Sequence, residues 1–130
     1  MKKLLLILVL AIMSSSVMAE WVRVNYHSGN SSTTYVNLFT IEKSDRTVKM
    51  WSLVGYKKPQ ARAFLPLYLS INRQNEFNCM EGQMRELYAA YHAKNMGEGE
   101  VTFSDNTPDS WNVVPPDSIG RELWKYACEK

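Results

Sequence analysis

The chain has 130 residues, room for one domain. Apolar residues make up 45% of it and charged residues 22%, which excludes a disordered tail, a low-complexity repeat and a cysteine-rich scaffold. A formal net charge of +2 is too small to mark a nucleic-acid binder.

The first element is a targeting segment. Lys2 and Lys3 form a positive start, residues 4–13 are apolar throughout, and Val17-Met18-Ala19 supplies small residues before a cleavage point. That three-part pattern predicts a secretory signal peptide over 1–19 and an exported domain over 20–130. A spanning helix needs about 20 apolar residues, more than this run offers, so no transmembrane segment is expected in the mature chain. Glu20 and Trp21 follow the cleavage point with no lipobox cysteine, so the product is expected to be soluble and either periplasmic or secreted. Lys2 and Lys3 are the only charges in the leader, so the exported part carries equal numbers of basic and acidic residues.

Residues 21–27 alternate, with Val22, Val24 and Tyr26 on one face, and predict a strand. A turn through Ser28-Gly29-Asn30-Ser31-Ser32 leads to a β-branched second strand over 33–38. Ser44-Asp45-Arg46 turns into the clearest strand, 47–56, apolar on both faces and therefore central. Lys57-Lys58-Pro59-Gln60 is expected to break the pattern, because proline cannot donate to a ladder. Residues 68–79 again read as a strand. Residues 81–93 fit two patterns, and the spacing of Met84, Leu87, Tyr88 and Tyr91 tips the reading toward a helix. After a turn at 95–99 comes a short strand over 100–104, then a loop over 105–116 pinned by Trp111, Val113 and Val114. The chain ends in a helix capped by Asp117 or Ser118, with Ile119, Leu123, Trp124, Ala127 and Cys128 on one face. The four tryptophans are expected in the core.

Cys79 and Cys128 are the only cysteines, both in the exported part. An even pair in an oxidising compartment reads as a disulfide. Metal binding wants clustered Cys and His at short spacing, and a redox pair wants C-x-x-C; neither pattern is present. Closing a loop of about 50 residues is worth about 4 kcal/mol on the chain-entropy estimate. His27 and His92, the only histidines, have no nucleophile elbow, metal-ligand spacing or glycine loop around them and read as ordinary surface or edge residues. No catalytic residue, cofactor or metal site is assigned, and the chain is expected not to be an enzyme. Lys57, Lys58 and Arg62 sit beside Phe64-Leu65-Pro66-Leu67-Tyr68. Two readings stand for this stretch: a solvated loop returning to the core, and a protein-contact surface in which Lys57, Lys58, Arg62, Phe64 and Tyr68 meet an acidic partner.

Several segments in order resemble the bacterial surface-adhesin protein E family. They are Met50-Trp51 through Tyr56-Lys57 with Pro59-Gln60, Glu76-Phe77-Asn78-Cys79, Asn95-Met96-Gly97-Glu98-Gly99-Glu100-Val101, Ser104-Asp105, and residues 111–128 with V-P-P-D-S-I-G and L-W-K-Y-A-C. The resemblance covers nearly all of the mature chain. It implies an α+β fold: an antiparallel sheet of about five or six strands with a C-terminal helix packed on it and tethered by the Cys79/Cys128 disulfide. It also implies a strand, not a helix, over 85–91, and that reading is adopted. Functionally it implies an adhesin that contacts host or extracellular-matrix proteins. The alternative is a periplasmic domain that binds a small ligand or assists the cell envelope.

Overall fold

The computed structural model describes residues 20–26 and 31–129. The signal peptide expected over 1–19 and the site of His27 lie outside the described residues. Seven strands form one antiparallel sheet among those residues: β1 Trp21–Arg23, β2 Ser32–Lys43, β3 Thr47–Gln60, β4 Tyr68–Asn78, β5 Gln83–His92, β6 Val101–Asp105 and β7 Asn112–Val113. Six of them pair in chain order from β1 to β6, each with its sequence neighbour, and β7 returns to pair with the free half of β5. A 3₁₀ turn, Asn95–Gly97, links β5 to β6, and one helix, α1 Ile119–Cys128, closes the chain. The expected antiparallel sheet with a C-terminal helix is therefore present.

Register decides which side chains meet. Val36 lies opposite Ser52, Met50 opposite Asn75, and Val48 opposite Phe77, which in turn faces Met84 of β5. These residues share one face of the sheet, and α1 lies across β2, β3 and β4 on that face. The core forms there. Val24, Val36, Val48, Met50, Phe77, Leu123 and Ala127 are buried, with Met84, Ile119 and Trp124 packed around them. On the opposite face Leu53 is fully buried, and Gly97 of the 3₁₀ turn comes close to it: a Cβ at Gly97 would sit 3.6 Å from Leu53 Cδ1. Gly97 has φ +69°, a conformation glycine adopts at little cost.

Three expectations from the sequence are corrected. Residues 83–92 form a strand where side-chain spacing pointed to a helix. Gln74 pairs with Tyr88 but Asn75 pairs with Glu86, so Leu87 is an extra, bulged residue. The bulge shifts the alternation, placing Met84, Glu86, Ala89 and Tyr91 on one face. Met84 and Tyr91 are thus seven residues apart, the same separation as two helical turns. Second, β3 runs straight through Pro59. The β3/β4 register shifts between Gly55 and Gln60, so Pro59 lies where no ladder donor is required. Third, of the four tryptophans only Trp124 packs against the main core cluster and none is fully buried; the largest fully buried side chains are Phe77, Met50, Leu53, Ile71 and Val36.

The loop over 105–116 is strapped to β5, as its apolar residues suggested. Asp109 N donates to Glu86 O, Val114 N donates to Gly82 O, and Val114 is buried, while Val113 points outward. The helix starts where the capping residues placed it: the Ser118 hydroxyl accepts from Arg121 N at 3.1 Å. Gly120 permits a close approach to the sheet, since a Cβ there would stand 3.0 Å from Met84 Sδ. At the other end, Cys128 is joined to Cys79.

Candidate functional site

The residues proposed from sequence as a contact surface fall at one end of the sheet, around the β3/β4 connection. Lys57 and Lys58 are exposed on the last turn of β3 and, with Ser31 and Gln60, border a hollow of about 390 Å³. Arg62 folds back over β5 and β6. Its guanidinium stands 5.0 Å from the Tyr91 ring centroid and 4.7 Å from that of Phe103, and it donates a hydrogen bond to the Tyr91 hydroxyl. Tyr68 is half-buried and joins the same aromatic group, with ring centroids 4.7 Å from Tyr91 and 5.8 Å from Tyr56. Phe64 is different. It projects from the loop with its side chain 104% exposed, and Leu67 beside it is 55% exposed. Arg62 and Tyr68 are thus brought together over one aromatic cluster, whereas Phe64 and the two lysines stand free around it. Among the described residues no carboxylate pairs with Lys57, Lys58 or Arg62; the ion pairs lie elsewhere.

A second feature was not foreseen from sequence. Between the aromatic cluster and α1, the helix-bearing face opens into a groove of about 430 Å³. Ser52, Tyr56, Arg73, Asn75 and Glu86 line it from β3, β4 and β5. Arg73 Nε lies 2.8 Å from Glu86 Oε1, with both side chains about a third exposed. Burial pushes the Tyr56 hydroxyl above its ordinary value near 10; the Arg73 guanidinium pulls it back, and Tyr68 and Tyr91 add smaller upward pushes. Nothing in the linear sequence links Ser52, Arg73, Asn75 and Glu86. They converge because β3, β4 and β5 pair in the register above, and because the Leu87 bulge turns Glu86 toward Arg73.

His92 lies at the end of β5, and its Nδ1 is buried without a hydrogen-bond partner among the described residues. Among the described residues no nucleophile is placed beside it by a hydrogen bond.

The sequence profile of the family described as surface-adhesin protein E matches residues 21–129. The chain belongs to the surface-adhesin protein E family. Among solved structures it is similar to Haemophilus influenzae protein E, in a selenomethionine form (TM-score 0.67, 12% identity, covering 88% of this chain and 89% of that one). A second crystal form of that protein gives TM-score 0.67 at 13% identity, covering 88% of this chain and 91% of that one. Protein E from non-typeable Haemophilus influenzae gives TM-score 0.62 at 13% identity, over 88% and 79% of the two chains. At such identities these likenesses carry the fold. No curated protein matches the chain by sequence. Family membership implies a surface-adhesin binding role, which is non-enzymatic. Membership and the disulfide together point to an exported protein. Among the described residues no helix is long and apolar enough to cross a membrane.

Proposed function

We propose that this chain is an exported binding domain of adhesin type that takes a protein partner, of the extracellular matrix or of the envelope, through the surface built by Lys57, Lys58, Arg62, Phe64 and Tyr68. The observation that carries this reading is Phe64. A large aromatic side chain held wholly in solvent costs apolar hydration. Beside three cations without carboxylate partners it makes an anchor for a partner that is acidic at its rim and apolar at its centre. Arg62 and the aromatic cluster beneath it give that anchor a rigid base.

The test uses Phe64→Ser and the double variant Lys57→Glu with Lys58→Glu. Both sites are exposed, so stability is expected to stay within about 0.5 kcal/mol of the parent. Retention on a panel of immobilised matrix proteins is expected to fall at least tenfold for Phe64→Ser. Retention unchanged in both variants overturns the surface assignment. Protease shaving of intact source cells addresses the alternative: a chain shielded from external protease until the envelope is opened favours the periplasmic reading over adhesion.

A further inference from the structure

We propose that the groove between β3, β4, β5 and the first turn of α1 is a binding site for a neutral saccharide. It is separate from the protein-contact surface and does not depend on it. The groove's volume of about 430 Å³ falls within the roughly 300–1,000 Å³ typical of small-molecule sites.

Its chemistry narrows the ligand. Ser52 and Asn75 are only 3% and 6% exposed, yet both line the groove with polar side chains. Buried polar groups are ordinarily satisfied, and leaving one unpaired costs roughly 1–3 kcal/mol. An apolar ligand would displace water from both and leave them so. The ligand must therefore both donate and accept hydrogen bonds.

Charge narrows it further. The groove's one cation and one anion, Arg73 and Glu86, already hold each other at 2.8 Å. A ligand with net charge would have to break that pair and strand one partner, so a neutral ligand fits. The stretches of β3 and β4 that line the groove are engaged in ladders on both sides, while Ser32 and Thr34 of β2 border it beyond the residues that β1 pairs. A short peptide is therefore the competing ligand that the experiment must separate from a saccharide.

A sugar ring meets both the hydrogen-bonding and the charge condition. Its hydroxyls each donate and accept. The Asn75 amide can engage two adjacent hydroxyls, and the intact ion pair leaves the terminal nitrogens of Arg73 to donate and Glu86 Oε2 to accept. Met84, Ile119 and Leu123 form an apolar wall for the C–H face of the ring. The Tyr56 hydroxyl, at the rim, adds a further donor.

The experiment follows the side-chain amide signal of Asn75 by NMR in protein produced from the full chain and purified after export. The probes are maltotriose, triacetylchitotriose, a heparin-derived tetrasaccharide and trialanine, each to 10 mM. A saturable shift with at least one neutral trisaccharide, and none with the sulfated tetrasaccharide or the peptide, is the expected result. Asn75→Leu is expected to weaken that binding at least tenfold. Ser52→Ala, which only removes an oxygen, gives the same reading if Asn75→Leu does not fold. Phe64→Ser is expected to leave saccharide binding unchanged, so loss of the protein-contact reading would not remove this one. No shift with either neutral probe, binding confined to the sulfated probe or the peptide, or neutral-probe binding indifferent to Ser52→Ala would each overturn the proposal.

Discussion

Removing both cysteines, as Cys79→Ala with Cys128→Ala, tests how α1 is held. The two residues are 49 apart in sequence, and the bridge joins the end of β4 to the end of α1. For a loop of about 50 residues, the entropy withheld from the unfolded chain amounts to about 4 kcal/mol at 25 °C. A domain of this size has roughly 5–15 kcal/mol in total, so the loss is a large share of its stability. With a urea m-value of about 1–3 kcal/mol per molar, the midpoint is expected to fall by roughly 1.3–4 M. The m-value itself is expected to rise, because the unlinked denatured chain is more open. The native fold should survive in water, since Leu123 and Ala127 remain buried against Val48, Met50 and Phe77. The assay is urea unfolding of parent and variant, followed by far-UV circular dichroism and tryptophan fluorescence; Trp124 on α1 and Trp51 on β3 sample the two layers. A loss below about 1 kcal/mol would refute the reasoning, because the unfolded chain would then be constrained without the bridge. Non-coincident transitions would refute it differently, by showing that α1 leaves the sheet as a separate unit.

Two further outcomes follow from side-chain geometry. Arg85 lies 2.8 Å from the buried carboxylate of Glu76, which also accepts from Thr47 Oγ1, and its guanidinium covers the Trp111 ring at 4.7 Å. Arg85→Ala strands that carboxylate and is expected to cost about 2–4 kcal/mol, below a fully buried pair because Arg85 keeps 30% exposure; urea unfolding measures the loss, and limited proteolysis should show faster cleavage within 105–116. The Tyr56 hydroxyl, raised by burial, is expected to ionise above its ordinary value near 10 in an ultraviolet titration, and Tyr56→Phe should remove that late component. Because its folded value is the higher one, its contribution to stability is complete below about pH 10 and is lost as pH rises through the folded value; stability that climbs over that range would contradict the burial argument.

Alternation along residues 47–56, the Ser118 cap and the cysteine pair were legible in the sequence because each is local or depends only on compartment and count. Residues 83–92 were misread from periodicity alone because a bulge at Leu87 makes a strand imitate helical spacing, and bulges are set by the partner strand. The family resemblance supplied the strand that periodicity missed. Pro59 was read as a break because a ladder was assumed on both sides of it, whereas the register shift there asks nothing of its nitrogen. The basic and aromatic residues over 57–68 could be picked out as a cluster, yet their division into a packed part, Arg62 and Tyr68, and a free part, Phe64, depends on where β5 and β6 lie. The groove was not legible at all. Ser52, Arg73, Asn75 and Glu86 are ordinary residues until three registers bring them together.

The order of the sheet also governs how the chain reaches this state. From β1 to β6 every strand pairs with the one just before it, so each hairpin can close over a short connection soon after its second strand is made. The helix and the strap through β7 are the long-range partners, and they come last from the chain's end. Cys128 therefore has no native position until the surface that receives α1 is already assembled. An oxidant that joined it to Cys79 earlier would tie a loop around an unfinished sheet, yet with only two cysteines it could not choose a wrong partner within the chain. Oxidation in this domain acts as a latch on a nearly finished structure, and the speed of sheet assembly decides how long the latch stays open.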